Sequence, residues 1–203
     1  MLKHMTGAQA ALAQLVTEGV EAVFSIPGEH NVYLCDAVLD HPSLRFVSGR
    51  HEQGITFMAN GYSRASGKIA VPIVVTGPGV TNSLTAVADA YVDSVPMVLL
   101  AAQANTHHLG KGAFHELKDQ GGLLASVTKW HQSVMQVEEI PEAICTAFYM
   151  AYEGRPGPTA VEIPMDLQIA KGEVNLFPPL RPARSRPTEE SVRQAAAMLA
   201  QAR

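Results

Sequence analysis

The sequence predicts an α/β fold, a parallel sheet with helices on both faces. Three observations carry this. Short apolar runs rich in β-branched residues recur along the chain, as in IAVPIVVT at 69–76, and read as strands covered on both sides. Longer stretches between them have helical periodicity. The two alternate as far as Ile163 with no internal repeat, the pattern of βα units rather than of segregated strands and helices.

Taken in order, Thr6 with Gln9 three residues on is a capping-box signal for a helix. Ala11, Leu12, Leu15 and Val16 form that helix's apolar face and Gly19 stops it. A strand from Glu21 to Ile26 ends at Pro27-Gly28, and Asn31 to Leu39 reads as a helix. Leu44 to Val47 is the next strand, with a helix starting near His51. Ala70 to Val75, Met97 to Ala102 and Thr159 to Ile163 are further strands, and Gly79 to Val92 and Ile140 to Tyr152 are helices. The composition changes after Pro164. FPPLRPARSRP at 177–187 reads as an extended linker. Pro187-Thr188-Glu189-Glu190 then opens a helix with Val192, Ala195, Ala196 and Leu199 on one face. The expected organisation is an α/β domain over 1–170, a linker over 171–187, and at 188–203 the first helix of a further, truncated domain.

With 15 basic and 19 acidic residues, a net charge of −4 and no basic run, the chain has no electrostatic footprint for nucleic acid or an anionic membrane. Its two cysteines, Cys35 and Cys145, lie far apart in helix-like patterns, which suits a reducing compartment better than a disulfide framework. The N-terminus lacks a secretory apolar core, and the longest apolar run, Pro96 to Ala102, is too short to span a bilayer. A cytoplasmic location is expected.

In open α/β sheets ligands bind outside the carboxyl ends of the strands. Four distinctive loops fall there: IPGEHN at 26–31, SGRHE at 48–52, TGPGVTN at 76–82, and the histidine-bearing stretch from Gln103 to Asp119. TGPGVTN could present backbone N–H groups to a phosphate, or be a tight turn needing glycine for shape alone. It is neither a Walker A loop nor G-x-G-x-x-G. Glu52 could serve the helix start, where the macrodipole favours an acid by about 0.3–1 kcal/mol, or could carry chemistry. His107, His108 and His115 have no cysteine nearby and read as loop histidines, so no metal ligands are assigned.

Four segments, IPGEHN, RHEQGITFMANGYSRASGK, TGPGVTNSLTAVADAYVDSVPMVLLAAQ and GRPGPTAVEIPMDLQ, together resemble one family in order and spacing. It is the N-terminal pyrimidine-binding domain of thiamine-diphosphate-dependent enzymes of the acetolactate synthase, benzoylformate decarboxylase and pyruvate oxidase group. The resemblance runs from about Thr6 to Asp166, and the linker and last helix resemble the start of that group's middle domain. It implies the three-layer α/β/α thiamine-diphosphate-binding fold and a 2-keto acid substrate. Carried over, Glu52 hydrogen-bonds the pyrimidine nitrogen N1′ of the cofactor and so takes part in its activation. Pro27 and Gly28 approach the pyrimidine through backbone, and Thr76, Pro78 and Asn82 line or support its pocket. Glu29, His30 and Phe114 fall in the substrate channel. Synthases of the group resemble Phe-Gln-Glu where this chain has Phe114-His115-Glu116, and pyruvate decarboxylases carry a histidine pair near there. His115 is then either a general acid/base or a channel-lining group.

The resemblance also implies what should lie elsewhere. Mg²⁺ and the diphosphate belong to a domain with a GDG motif, which this sequence lacks. FAD is an option through the middle domain. The site is completed by the diphosphate-binding domain of another subunit, in a homodimer or tetramer, and this chain alone is expected to be inactive. The Ala-, Gly- and Met-rich helices at 53–66 and 81–91 suit packing between subunits, or an ordinary core. Two other readings stand beside this one: a separate small subunit of a split decarboxylase, and a non-catalytic module that binds a nucleotide or partner through TGPGVTN.

Overall fold

The computed structural model describes residues 2–183 and 186–202. Residues 184, 185 and 203, which fall in the expected linker and final helix, lie outside the described residues.

A strand, β1 (Lys3–Thr6), leads into helix α1 (Gly7–Thr17). Thr6 caps α1 as its sequence predicts. The Gln9 N–H donates to Thr6 Oγ1 at 3.2 Å, and the Thr6 N–H donates back to Gln9 Oε1 at 3.1 Å, so two orphan amides at the helix start are satisfied reciprocally. Next come β2 (Ala22–Ser25), α2 (Val32–Ala37), β3 (Arg45–Ser48), α3 (Glu52–Ser66), β4 (Val71–Val74) and α4 (Pro78–Val92). After them come β5 (Met97–Gln103), α5 (Gln120–Val127), β6 (Trp130–Ser133), α6 (Ile140–Tyr152), β7 (Pro158–Pro164) and α7 (Met165–Ile169). The chain continues through β8 (Lys171–Val174) to α8 (Glu189–Gln201).

Six strands form one parallel sheet in the order β3-β2-β4-β5-β7-β6. Residues of α1, α2 and α6 bury one face, against Val23, Ile73, Val98, Leu100 and Val161 among others. Residues of α3, α4 and α5 bury the other, against Phe24, Val74, Met97, Leu99 and Ala160. The alternation along β5 is the period of a strand, and both of its faces are apolar because both are covered. This is the three-layer architecture expected.

Three features depart from the sequence reading. Strands β1 and β6 and helices α5 and α7 have no counterpart in it. Residues 171–174, expected as linker, instead form β8, antiparallel to β1 with Lys3 opposite Val174. The helix expected over 31–39 is α2 flanked by 3₁₀ turns at Glu29–Asn31 and Val38–Asp40.

The stretch after β8 is strapped to α1. Gln14 Nε2 donates to Phe177 O at 2.9 Å while its Oε1 accepts from Phe177 N at 3.0 Å. Arg181 Nη1 meets the buried carboxylate of Glu18 at 2.7 Å. By contrast α8, capped by Thr188, buries none of its residues. Among the described residues no helix is long and apolar enough to cross a membrane.

Thr6→Ala removes one half of the capping box. Urea unfolding is expected to show a loss of about 1 kcal/mol, and an unchanged midpoint would refute the cap's contribution.

Candidate functional site

The strand order places a crevice. From β2 the chain moves outward to β3 and then returns to β4 on the other side of β2. The helix after β2 packs on one face and the helix after β4 on the other. The loops leaving these adjacent strands therefore diverge, and the gap between them is the topological switch point where open sheets hold ligands.

The loop after β2 is pinned by Asn31, which is fully buried. Its Oδ1 accepts from Gly28 N at 2.8 Å, and its Nδ2 donates to Ile26 O at 3.1 Å. Gly28 is extended and packs so closely on Val75 that a Cβ there would lie 2.7 Å from Val75 Cγ1. Pro27, Gly28 and Glu29, with Val32, Tyr33 and Met165, line an open groove of ≈ 430 Å³.

The loop after β4 turns at Gly77, whose φ of 64° favours glycine. A Cβ there would sit 2.0 Å from the carbonyl oxygen of His115, so this glycine also permits close approach of another loop. Pro78 follows as an exposed first-turn residue of α4, a position where its missing N–H costs nothing. Asn82 lies one turn on. Its Nδ2 donates to Glu52 Oε2 at 2.9 Å, tying the start of α3 to α4. Glu52 is half-buried as the first residue of α3, and the N-cap His51 accepts from Gln53 N through Nδ1. Its other oxygen, Oε1, has no hydrogen-bond partner among the described residues.

A buried polar network supports the Gly77 turn from below. Gln120, at the start of α5, accepts from Gly77 N at 2.9 Å and from Thr76 Oγ1 at 2.7 Å through one oxygen. Its amide nitrogen donates to Ala102 O at 3.1 Å and to Glu162 Oε1 at 2.8 Å. Glu162, 2% exposed within β7, is also reached by Gln103 Nε2, Ser133 Oγ and the His131 ring. Burial pushes its carboxyl pKa up, but the hydrogen bonds from His131, Ser133 and Gln120 outweigh burial and hold it below the ordinary carboxylate value.

The loop from 104 to 119 is built on carboxylates that accept backbone N–H groups. Asp166 takes Thr106 N at 3.0 Å, and Glu116 takes Gly112 N at 2.8 Å, Ala113 N at 2.9 Å and also Gly110 N. Bonds from the Gly110 and Ala113 amides lead the lowering of the Glu116 pKa. This folding presents Phe114 and His115, both exposed and stacked at 3.7 Å between ring centroids. His115 has φ 62°, an uncommon conformation for a residue with a Cβ. Behind them His30 is 5% exposed, 6.0 Å from each ring, and its Nδ1 has no partner among the described residues. Burial holds the His30 pKa below the usual histidine value; Glu29 opposes this and His115 adds to it.

The residues singled out in the sequence thus form two groups. Glu52 and Asn82 meet directly, beside the turn that Thr76, Gly77 and Pro78 make. His30, Phe114 and His115 cluster at the loop, and the backbone of His115 against Gly77 joins the two. Glu29 lines the outer groove. Asn31, Gln103, Gln120 and Glu162 were not singled out. The signals for them were an asparagine inside IPGEHN and one acid inside the otherwise apolar TAVEIP. Among the described residues no group of three or more His, Cys, Asp or Glu side chains could hold a metal ion.

These features define an open-sheet α/β domain with a topological switch point at the carboxyl ends of β2 and β4. Residues 5–123 match the family model described as thiamine pyrophosphate enzyme, N-terminal TPP binding domain. The chain belongs to that family. It is 38% identical over 199 residues to the acetolactate synthase isozyme 1 large subunit of Escherichia coli, covering 97% of this chain and 35% of that protein. It is 40% identical over 205 residues to a protein of Pseudomonas aeruginosa named as a probable 2-ketoarginine decarboxylase, covering 99% of this chain and 36% of that one. With the mitochondrial acetolactate synthase catalytic subunit of Saccharomyces cerevisiae the figures are 42% over 166 residues, 82% and 24%. The chain therefore spans about a third or less of the length of these relatives.

The pKa shifts set a pH dependence. A histidine whose folded value is lowered binds its proton more readily when unfolded, so His30 costs stability as pH falls through the ordinary histidine range near ~6.5. Glu116 and Glu162, also lowered, stabilise the fold above the ordinary carboxylate range, and that contribution is lost as pH falls through their folded values. Thermal melts are expected to weaken in two acid stages, and His30→Phe should remove the upper one. Persistence of that upper stage in the variant would contradict the assignment.

Proposed function

We propose that the chain is the N-terminal, cofactor-activating part of a thiamine-diphosphate-dependent 2-keto acid decarboxylase or carboligase, acetolactate synthase-like in kind. The observation that carries this reading is the state of Glu52. One of its oxygens is fixed by Asn82 of α4 and the other has no partner among the described residues. A carboxylate so held suits a pyrimidine ring nitrogen with which it can share a proton. When bound, the cofactor supplies an electron sink for loss of CO₂ from a 2-keto acid. The chain's own residues hold and shield it. Asn82 orients Glu52, and Pro27 and Gly28 offer backbone on one side of the crevice. Thr76 and Pro78 shape the other. Glu29, His30 and Phe114 flank the path of the substrate, and His115, exposed with its backbone against Gly77, either moves a proton to or from substrate or lines the channel.

The remaining parts of the reading concern the whole protein. The pyrimidine-binding domain, expected over 1–170, extends through β8 to residue 174, a connecting segment follows as far as 187, and 188–203 begins the next domain; the exposed apolar residues Val192, Met198 and Leu199 support that start. Mg²⁺ and the diphosphate are held by a further domain, in a second subunit of a homodimer or tetramer, and FAD is an option for the full-length protein through its middle domain. The exposed Phe57 and Met58 of α3 and Tyr91 and Val92 of α4 support a subunit interface there. The working compartment is the cytoplasm. The length of the relatives favours a cut from a longer chain over a separate small subunit.

Glu52→Gln keeps the shape and the Asn82 contact but cannot exchange the proton. In the intact protein, supplied with thiamine diphosphate, Mg²⁺ and a 2-keto acid, it should lower turnover by roughly 10²–10⁴-fold. Turnover near that of the unaltered protein would remove Glu52 from the chemistry.

A further inference from the structure

The Thr76–Gly77 turn touches the proposed cofactor site, and its local ties, Thr81 N to Gly77 O at 2.9 Å and Thr81 Oγ1 to Pro78 O at 3.2 Å, hold only its exit into α4. Gly77 has left-handed φ and no side chain, and α4 has no side-chain cap. What holds its entry, Gly77 N and Thr76 Oγ1, comes from distant parts of the chain. The Gln120 side-chain oxygen takes both Gly77 N and Thr76 Oγ1, and its nitrogen is consumed by Ala102 O and Glu162 Oε1. The single proton of Thr76 Oγ1 is shared with Gln103 Oε1, 2.9 Å away, while the other three hydrogen-bonding positions of the Gln120 amide have partners of their own, which fixes its orientation. Gln120 is 2% exposed and Thr76 fully buried, so no water competes for these bonds. Behind Gln120, the carboxylate of Glu162 accepts from Gln103, Gln120, Ser133 and the His131 ring. A buried charge with so many donors is held firmly, because losing any of them strands it.

We propose that Gln120, anchored by Glu162, is a positioning residue. It sets the Thr76–Gly77 turn and, through it, the start of α4 that carries Asn82 and hence Glu52. The inference rests on the proposed thiamine diphosphate site and adds a residue that touches neither cofactor nor substrate. It makes the geometry of Glu52 depend on a side chain whose own anchor lies two strands away, at the β7–β6 edge of the sheet.

The test uses the intact protein and reads the dissociation constant of thiamine diphosphate, with Mg²⁺, on the folded fraction. Gln120→Met keeps the volume but releases all four bonds, and the dissociation constant should rise about tenfold or more. A residue that merely packs would lower the melting temperature and leave that constant unchanged, which would overturn the proposal. Gln120→Glu supplies a second readout should the first variant not fold. The titratable groups facing position 120 are Glu162 on β7 and, beyond it, His131 on β6, while Asp119 turns away to cap Gly122 N. Two carboxylates this close share a proton as pH falls, and the protonated pair can again donate between them. Relative to the unaltered protein, the variant should bind at least about fivefold more tightly near ~pH 6 than near ~pH 8.5. A pH-independent ratio would overturn the proposal. Failure of the unaltered protein to bind thiamine diphosphate would instead bring down the site reading itself. Tight binding by the unaltered protein, with impaired turnover only in Glu52→Gln, would leave that reading standing and remove Gln120.

Discussion

A parallel sheet covered on both faces has no room for unpaired polar groups, and that constraint organises this chain. Strands β5 and β7 pair over seven residues from Met97–Pro158 to Gln103–Pro164, and all of β7 is buried. Their backbone groups are consumed by the ladder and their side chains by two helical layers. Polar chemistry is thereby expelled to the strand ends. At the carboxyl ends, where the order reverses between β2 and β4, the connections diverge and leave space. Glycines at 28 and 77 let neighbouring groups approach closely there, and the first turns of α3 and α4 bring Glu52 and Asn82 together. The one acid inside the sheet, Glu162, is tolerated because its oxygens are saturated with donors.

What could be read from the residues follows from the same constraint. Runs such as 69–75 and 97–102 must be apolar throughout when both faces are covered, so β4 and β5 were legible, as was the Thr6–Gln9 cap, whose two partners are near neighbours in sequence. Strand β6 was hidden because Trp130-His131-Gln132-Ser133 is an edge strand. Two of its polar residues, His131 and Ser133, serve Glu162, a residue 29 positions or more away. Helix α5 begins Gln120-Gly121-Gly122 and carries little helical signal. The β1–β8 pair joins short segments 165 residues or more apart, half-exposed and without a strong pattern. The site divided in the same way. Glu52, Asn82 and the Gly28 and Gly77 turns were visible as motifs. Gln120 was not, since its importance exists only once four groups from three other elements converge on it.

The two groups of site residues differ in how they are held. Gly28, Glu52, Thr76 and Asn82 sit at strand ends and helix starts tied to the core. Phe114 and His115 ride on a loop whose shape depends on the carboxylates of Glu116 and Asp166 accepting backbone amides. Under the proposed function, a rigid frame would keep a cofactor fixed while a locally specified loop meets the substrate. Matches named as acetolactate synthases and as a 2-ketoarginine decarboxylase fit a shared frame of this kind.

The central claim is that the free oxygen of Glu52 is the pyrimidine's partner. The most direct measurement is an experimental structure of the intact protein with thiamine diphosphate bound. The account predicts Glu52 Oε1 within roughly 2.7–3.2 Å of a pyrimidine ring nitrogen, with Oε2 still held by Asn82. A pyrimidine bound elsewhere, or a Glu52 carboxylate turned to solvent while another group meets that nitrogen, would contradict it.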